Sequence, residues 1–200
     1  MRKIFLLVIV LLLGCKNTEN ELHSKFPDYE LKKINFLEKE FYIPGNYFDA
    51  SKDSIFQQRL ATTDTIDKLS LNHRKYLQLI NSGVQFEYFV DKDNPQNSII
   101  FILGQHISLN EKTMYKYIDM LKMTSFKDDK EDSTEYKLLE KEFYKPIYAD
   151  IIKVKFKRIK KGKELYLTQY LVTQGLKTIT MIVMNTENKD FDQIIKNFKS

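Results

Sequence analysis

The last third of the chain leaves its backbone little choice. Ile152, Val154 and Phe156 alternate with Lys153, Lys155 and Lys157, the two-residue period of a strand with one buried face. Lys160 to Lys163, which contains Gly162, leads into the apolar stretch Leu165 to Val172, and Gln174-Gly175 leads from there into Thr178 to Met184. Links this short join only antiparallel neighbours, because a parallel return needs a crossover of a dozen or more residues. A strand around Glu135 to Phe143, after the acidic connection Asp128 to Asp132, completes a predicted four-strand meander.

The upstream half adds helices and a hairpin. Phe41 to Tyr47 reads as a strand ending in a Pro44-Gly45 turn, with proline presetting φ and glycine expected to take a positive φ. Ile66, Leu69, Tyr76, Leu77 and Ile80 fall near helical spacing and stop at Asn81-Ser82-Gly83. Val84, Phe86, Tyr88 and Val90 alternate with polar residues, and after the turn-rich Asp91 to Asn97 the run Ile99 to Leu103 returns as a second strand. Ser108 and Glu111 match a capping box, so a helix is expected from near Leu109 to near Met123, with Met114, Ile118 and Leu121 on its inner face. Phe191, Ile194, Ile195 and Phe198 mark a closing amphipathic helix beginning near Asn188. The expected class is α+β: an antiparallel sheet of about six strands flanked by helices, in one domain over residues 34–200. No repeat and no second domain boundary is visible.

The first fifteen residues follow a different grammar. Arg2-Lys3 precedes ten apolar residues, Ile4 to Leu13, then Gly14 and Cys15, and the run ends in Lys16, Asn17, Thr18 and Glu19. A bilayer-spanning helix needs about 20 apolar residues, so this segment is read as a cleaved export signal over residues 1–14. Leu12-Leu13-Gly14-Cys15 resembles the bacterial lipobox, in which two aliphatic residues and a small one precede a cysteine that is diacylated on sulfur and becomes the new amino terminus. The resemblance implies acylation of Cys15, stable membrane anchoring by several acyl chains, and a domain in the periplasm or at the cell surface. Lys16 after the cysteine, by resemblance to Gram-negative sorting, implies the outer membrane. Cys15 is the only cysteine, so no disulfide forms within the chain. Residues 15–33, polar and irregular with Leu22, Phe26, Pro27 and Tyr29 as scattered apolar points, read as a flexible tether.

Composition narrows function mainly by exclusion. Hydrophobic residues make up 42% of the chain, and 12 Tyr and 14 Phe supply enough bulky side chains for a proper core. The formal charge is +5, of which Arg2 and Lys3 account for two, so the processed chain carries +3. That mild excess, with no zinc-finger, helix-turn-helix or RNA-binding signature, argues against nucleic acid. His23, His73 and His106 have no His or Cys at ligand spacing, which argues against zinc. Asp91-Lys92-Asp93-Asn94 opens like a calcium loop, but Gln96 and Ile102 stand where Gly and Glu are needed, so it is read as a hairpin turn. No nucleophile elbow and no phosphate-cradling glycine loop is present. No catalytic residue, metal or cofactor is therefore assigned.

The densest charge feature is Lys153, Lys155, Lys157, Arg158, Lys160, Lys161 and Lys163. The first reading is an edge or solvated strand blunted by lysines against aggregation. The second is a surface for lipid headgroups, glycans or an acidic partner.

The turn Ile43 to Tyr47, the hairpin strands Leu165 to Val172 and Thr178 to Met184, and the terminal Phe191 to Lys199 together resemble the PsbP-like superfamily. The resemblance implies an α/β/α sandwich around an antiparallel sheet and binding or assembly roles without catalysis. No site residues are carried over, because the superfamily has no shared site motif. The expected function is thus a lipid-anchored, non-enzymatic envelope module with a protein or glycan partner, and the alternative is a carrier of a small apolar ligand in an aromatic-rich pocket.

Overall fold

A computed structural model describes residues 27–52, 71–123, 134–146, 149–192 and 195. The chain runs β1 (Tyr29–Ile34), a 3-10 turn (Asn35–Leu37), β2 (Lys39–Pro44), β3 (Tyr47–Asp49), α1 (Leu71–Ser82), β4 (Phe86–Asp91), β5 (Ser98–Gly104), α2 (Glu111–Met123), β6 (Thr134–Tyr144), β7 (Asp150–Lys160), β8 (Lys163–Gln174) and β9 (Lys177–Asn185). Strands β1 and β2 pair as a small antiparallel sheet, and the other seven form a second one in the order β3-β4-β5-β9-β8-β7-β6. Every pairing is antiparallel.

The meander β6 to β9 is the one the short links demand. Lys161 and Gly162 close the β7–β8 hairpin, with φ values of 50° and 76°. Two successive positive φ values define the turn whose twist matches that of paired strands. Strand β9 then lies between β8 and β5, and α2 carries the chain from β5 to the far edge, where β6 begins. One irregularity interrupts β6: the register with β7 shifts between Leu138 and Glu140, leaving Leu139 as a bulge. Before it Tyr136 faces the helices, and after it Phe143 does.

Alternation sorts the core into two layers. Tyr88, Val90, Ile100, Ile152, Val154, Phe156, Leu167, Leu171 and Met184 face Tyr76 of α1 and Met114, Ile118 and Leu121 of α2. On the other face Phe89, Ile99, Phe101, Ile151, Tyr170, Val172, Met181 and Val183 meet Ile34, Phe41 and Ile43 of the small sheet together with Phe191 and Ile195. Phe101 anchors this second layer, with ring centroids 4.8 Å from Phe41 and 6.2 Å from Phe89. The molecule is thus mostly antiparallel sheet. Helices α1 and α2 lie on one face, and on the other the two-stranded sheet does much of the covering, beside Phe191 and Ile195.

Several boundaries differ from the expectations, each for a local reason. The ordered domain starts before Lys33, because Tyr29–Ile34 pairs with Lys39–Pro44 where a tether was expected. The turn expected at Pro44-Gly45 falls at Gly45-Asn46 and separates β2 from β3, which lie in different sheets. Gly45 is not among the positive-φ glycines. It is glycine because its backbone passes close to Asp28 and Glu30, where a Cβ would stand 3.1 Å from Glu30 Oε1 and 3.2 Å from the Asp28 carbonyl. Helix α2 starts at Glu111 and is capped by Asn110, whose Oδ1 accepts the Thr113 N–H at 2.9 Å, so Ser108 is not the cap. Gly83, with φ of 68°, ends α1 as expected, while Ile66 and Leu69 lie outside the described residues. Residues 186–191 are not helical; helix is seen at Asp192 and Ile195, joined by the Ile195 N–H to Phe191 carbonyl bond of 3.1 Å. No helix among the described residues is long and apolar enough to cross a membrane.

Candidate binding groove

At one end of the large sheet, strand β4 outruns its neighbour. Strand β3 pairs with it only from Asp91 to Phe89, and the Ala50 N–H adds one bond to the Tyr88 carbonyl at 2.7 Å. Among the described residues no strand pairs with Phe86 and Glu87 on that side. Here an open groove of roughly 830 Å³ runs between the 3-10 turn and α1. Phe36, Tyr76, Ile80, Val84 and Phe86 give it an apolar wall, and Asn35, Ser51, Lys52, Gln85 and Glu87 supply its polar groups. Tyr76 is fixed by an edge contact with Phe86 at 5.6 Å and a stack on Tyr88 at 5.0 Å, so that part of the wall is rigid.

Glu87 is the unusual member. It alternates with Tyr88 and so points to the face covered by the small sheet, where it is 5% exposed. Its Oε1 accepts two hydrogen bonds from Asn35, from the backbone N–H at 2.6 Å and from Nδ2 at 2.7 Å, which pins the 3-10 turn to the sheet. Its Oε2 is buried and meets no donor. A buried carboxylate oxygen without a donor costs free energy, about 1–3 kcal/mol or more for a charged group. The Lys52 ammonium sits 2.8 Å from Asp49 Oδ2, and that hydrogen bond first, with the charges of Asp49 and Glu87 after it, raises the lysine pKa.

The lysine-rich hairpin divides into a buried part and an outer part. Lys153 is 1% exposed, and its Nζ lies 2.6 Å from Glu140, 2.7 Å from Asp192 and 3.3 Å from Asp190. Burial lowers its pKa, but the hydrogen bonds to Asp192 and Glu140 outweigh that and hold it above the ordinary lysine range. Tyr170 donates to the other oxygen of Asp192 at 2.8 Å. Burial raises the Asp192 pKa, while hydrogen bonds with Asp192 and Lys153 hold Asp190 below the usual value. Lys155 is also buried and donates to the Lys189 carbonyl at 3.5 Å. Lys157 pairs with Glu164 at 2.5 Å, and Arg158 donates from Nε to the Tyr136 hydroxyl at 3.1 Å. Lys160 is half-buried; only Lys161 and Lys163 are fully exposed. The innermost lysines of the cluster therefore tie the segment after β9 to the sheet.

The other sequence candidates are quickly placed. Leu12, Leu13, Gly14 and Cys15 lie outside the described residues, as does His23, and nothing is described of the His73 side chain. His106 is exposed just after β5. Asp91 organises the β4–β5 turn, its Oδ1 accepting the N–H groups of Asp93 at 2.9 Å and Asn94 at 3.2 Å. No group of three potential metal ligands occurs among the described residues. The groove was not legible as a site, because Glu87 reads as an ordinary outward polar residue until the small sheet covers it.

A large antiparallel sheet with helices on one face and a covering hairpin on the other defines a PsbP-like fold. The solution structure of cyanobacterial PsbP (CyanoP) from Synechocystis sp. PCC 6803 shares it, with a TM-score of 0.51 at 12% identity over 84% of this chain and 85% of that one. The Saccharomyces cerevisiae Ran-binding protein Mog1p aligns with a TM-score of 0.45 at 10% identity, over 84% of this chain and 82% of its own. At these identities the likeness is one of fold. No family model and no curated protein matches the sequence.

Proposed function

We propose that this chain is a lipid-anchored, non-enzymatic binding or assembly module of the bacterial envelope, held on the membrane through acyl groups on Cys15 and using the groove beside β4 to receive part of a partner protein. The observation that carries the reading is the groove itself, an open concavity with an aromatic wall set against a stretch of β4 that no strand pairs among the described residues. An uncovered edge offers backbone hydrogen bonds to an extended segment, and the neighbouring pockets select its side chains. The binding and assembly roles implied by the PsbP-like resemblance support the same reading.

Two experiments test it. The intact mass of membrane-extracted protein, wild type against Cys15→Ala, should show loss of residues 1–14 and addition of acyl groups only with the cysteine; an unmodified thiol on a freely soluble protein removes the anchoring half. Site-specific photo-crosslinking from Ile80 and Val84 in intact cells should trap a discrete envelope protein, and Ile80→Asp should abolish the adduct. An adduct pattern indifferent to that substitution removes the groove half.

The carrier alternative is favoured by one observation: the groove volume falls within the roughly 300–1,000 Å³ typical of small-molecule sites. An apolar ligand retained by the purified protein in native mass spectrometry would support it over a protein partner.

A further inference from the structure

The segment that follows β9 is fastened at a place where charge does not balance. Residues 186–192 start with the Thr186 N–H bonded to Asn97 Oδ1 at 2.9 Å and run across the sheet to Lys153 of β7, where Phe191, 2% exposed, packs in the second core layer. We infer that Asp190 and Asp192 hold one proton between them beside the Lys153 ammonium, and that losing it as pH rises loosens residues 189–192 from the sheet, which makes this strap a pH-sensitive catch.

The charges around Lys153 give the reason. Its Nζ lies 2.6 Å from Glu140, 2.7 Å from Asp192 and 3.3 Å from Asp190, so three carboxylates against one ammonium leave an excess of two negative charges. Carboxylates that touch the same cation stand close enough to repel, and such a pair keeps a proton on one member after a lone carboxyl has lost it. Asp192 is the member that keeps it, being 16% exposed where Asp190 is 51% exposed. The two side chains are hydrogen-bond partners, and the Asp192 N–H also donates to Asp190 Oδ1 at 2.8 Å. Burial raises the Asp192 pKa, the Lys153 bond opposes this, and the Asp190 bond raises it further. Burial acts to raise Asp190 too, but its bonds with Asp192 and Lys153 outweigh it.

The other groups around the cluster do not cancel the excess. From β6, Glu142 adds a negative charge beside Tyr144, and from β7, Lys155 adds a positive one while donating to the Lys189 carbonyl at 3.5 Å. From β8, the Tyr170 hydroxyl donates to Asp192 at 2.8 Å, and from β1, Tyr29 contributes a ring 6.4 Å from that of Phe191. On the strap itself, Lys189 pairs with Glu187 at 3.3 Å. Asp192, raised in the folded state, therefore favours closure fully below the ordinary carboxylate range and loses that contribution as pH rises through its folded value. Asp190, lowered, loses its contribution only in stronger acid. Closure is tightest in mild acid, and opening uncovers Tyr170, which is otherwise fully buried.

The test is hydrogen exchange of residues 186–192 in the full chain in lipid nanodiscs, from about pH 4.5 to about pH 8, corrected for the pH dependence of the intrinsic exchange rate. The wild-type opening constant should rise by about tenfold or more over that range, one proton giving at most about tenfold per pH unit. Asp192→Asn imitates the protonated carboxyl, with an amide to donate to Asp190 and an oxygen to accept from Lys153, so it should keep the strap closed at pH 8 and flatten the profile. A simple ion-pair tie predicts the opposite, because the substitution removes a charge that attracts Lys153. A wild-type profile flat within about twofold, or an Asp192→Asn strap that opens more readily than wild type at pH 8, overturns the shared proton. If a thermal melt shows that the variant does not fold, carboxyl-carbon NMR of the wild type decides: the pair should titrate in two steps on either side of the ordinary aspartate value, and two coincident steps overturn the inference.

Discussion

Replacing Lys153 with methionine tests whether the buried ion cluster holds the segment after β9 in place. The substitution keeps the length of the stem and removes only the ammonium. Breaking a buried pair by deleting one partner costs about 3–5 kcal/mol, because the remaining charge stays uncompensated. Glu140 and Asp190 are 41% and 51% exposed, so each can turn to water, whereas Asp192 at 16% exposure cannot. The cost should therefore lie near the lower end, about 3 kcal/mol, or a fall in Tm of about 6–12 °C for a domain of this size. The assay is thermal denaturation followed by far-UV circular dichroism. The penalty also has a predictable pH dependence. Without its cation, Asp192 has a folded-state pKa above its unfolded value, so it destabilises the fold at neutral pH, and the deficit shrinks as pH falls through that raised value. Adding Asp192→Asn should recover most of the loss at pH 7. A Lys153→Met protein that melts within about 2 °C of wild type, or whose deficit is the same at pH 7 and pH 5, refutes the account.

Other outcomes follow from the same coordinates. Burial holds the Tyr47, Tyr88 and Tyr170 hydroxyls well above their unfolded pKa of 10.0, and against the lowering effect of burial the hydrogen bonds to Asp192 and Glu140 raise that of Lys153. Above pH 10 the unfolded state therefore loses protons first, and stability should fall by up to about 1.4 kcal/mol per pH unit for each such group. Chemical denaturation between pH 9 and 11 measures this, and Tyr170→Phe should make the slope shallower. Phe101→Ala, at the centre of the second core layer, should cost about 3–5 kcal/mol, and a loss under 1 kcal/mol in urea unfolding would show that the layer repacks. Lys161 adopts a positive φ that Asn tolerates better, so Lys161→Asn should stabilise by up to about 1 kcal/mol; an unchanged or lower Tm would count against that turn geometry.

What could be read from the sequence was what depends on neighbours in the chain. The alternation in β4, β7 and β9, the short link Lys160 to Lys163 and the helical spacing of Met114, Ile118 and Leu121 are local patterns, and each element stands close to where its pattern put it, with β4 beginning at Phe86 and the helix at Glu111. The misreadings depended on distant partners. Lys153 alternates with buried residues and so reads as solvent-facing, because Asp190 and Asp192, which bury and neutralise it, come 37 and 39 residues later. Glu87 was hidden for the same reason, its covering residue Asn35 lying 52 positions away. Tyr29–Ile34 has too little alternation to announce a strand until β2 pairs with it. The turn at Pro44-Gly45 was legible, but the close approach to Asp28 and Glu30 that requires glycine there was not.

Strand β9 is the last in sequence and the middle one in the large sheet, with β5 on one side and β8 on the other. The two halves of the sheet stay unjoined until Lys177–Asn185 has left the ribosome, and closing them requires pairings that span some eighty residues, from Ser98–Met184 to Gly104–Thr178. Such long-range closure is slow compared with local hairpin formation. A chain built this way can close its large sheet only after its last described strand has been made.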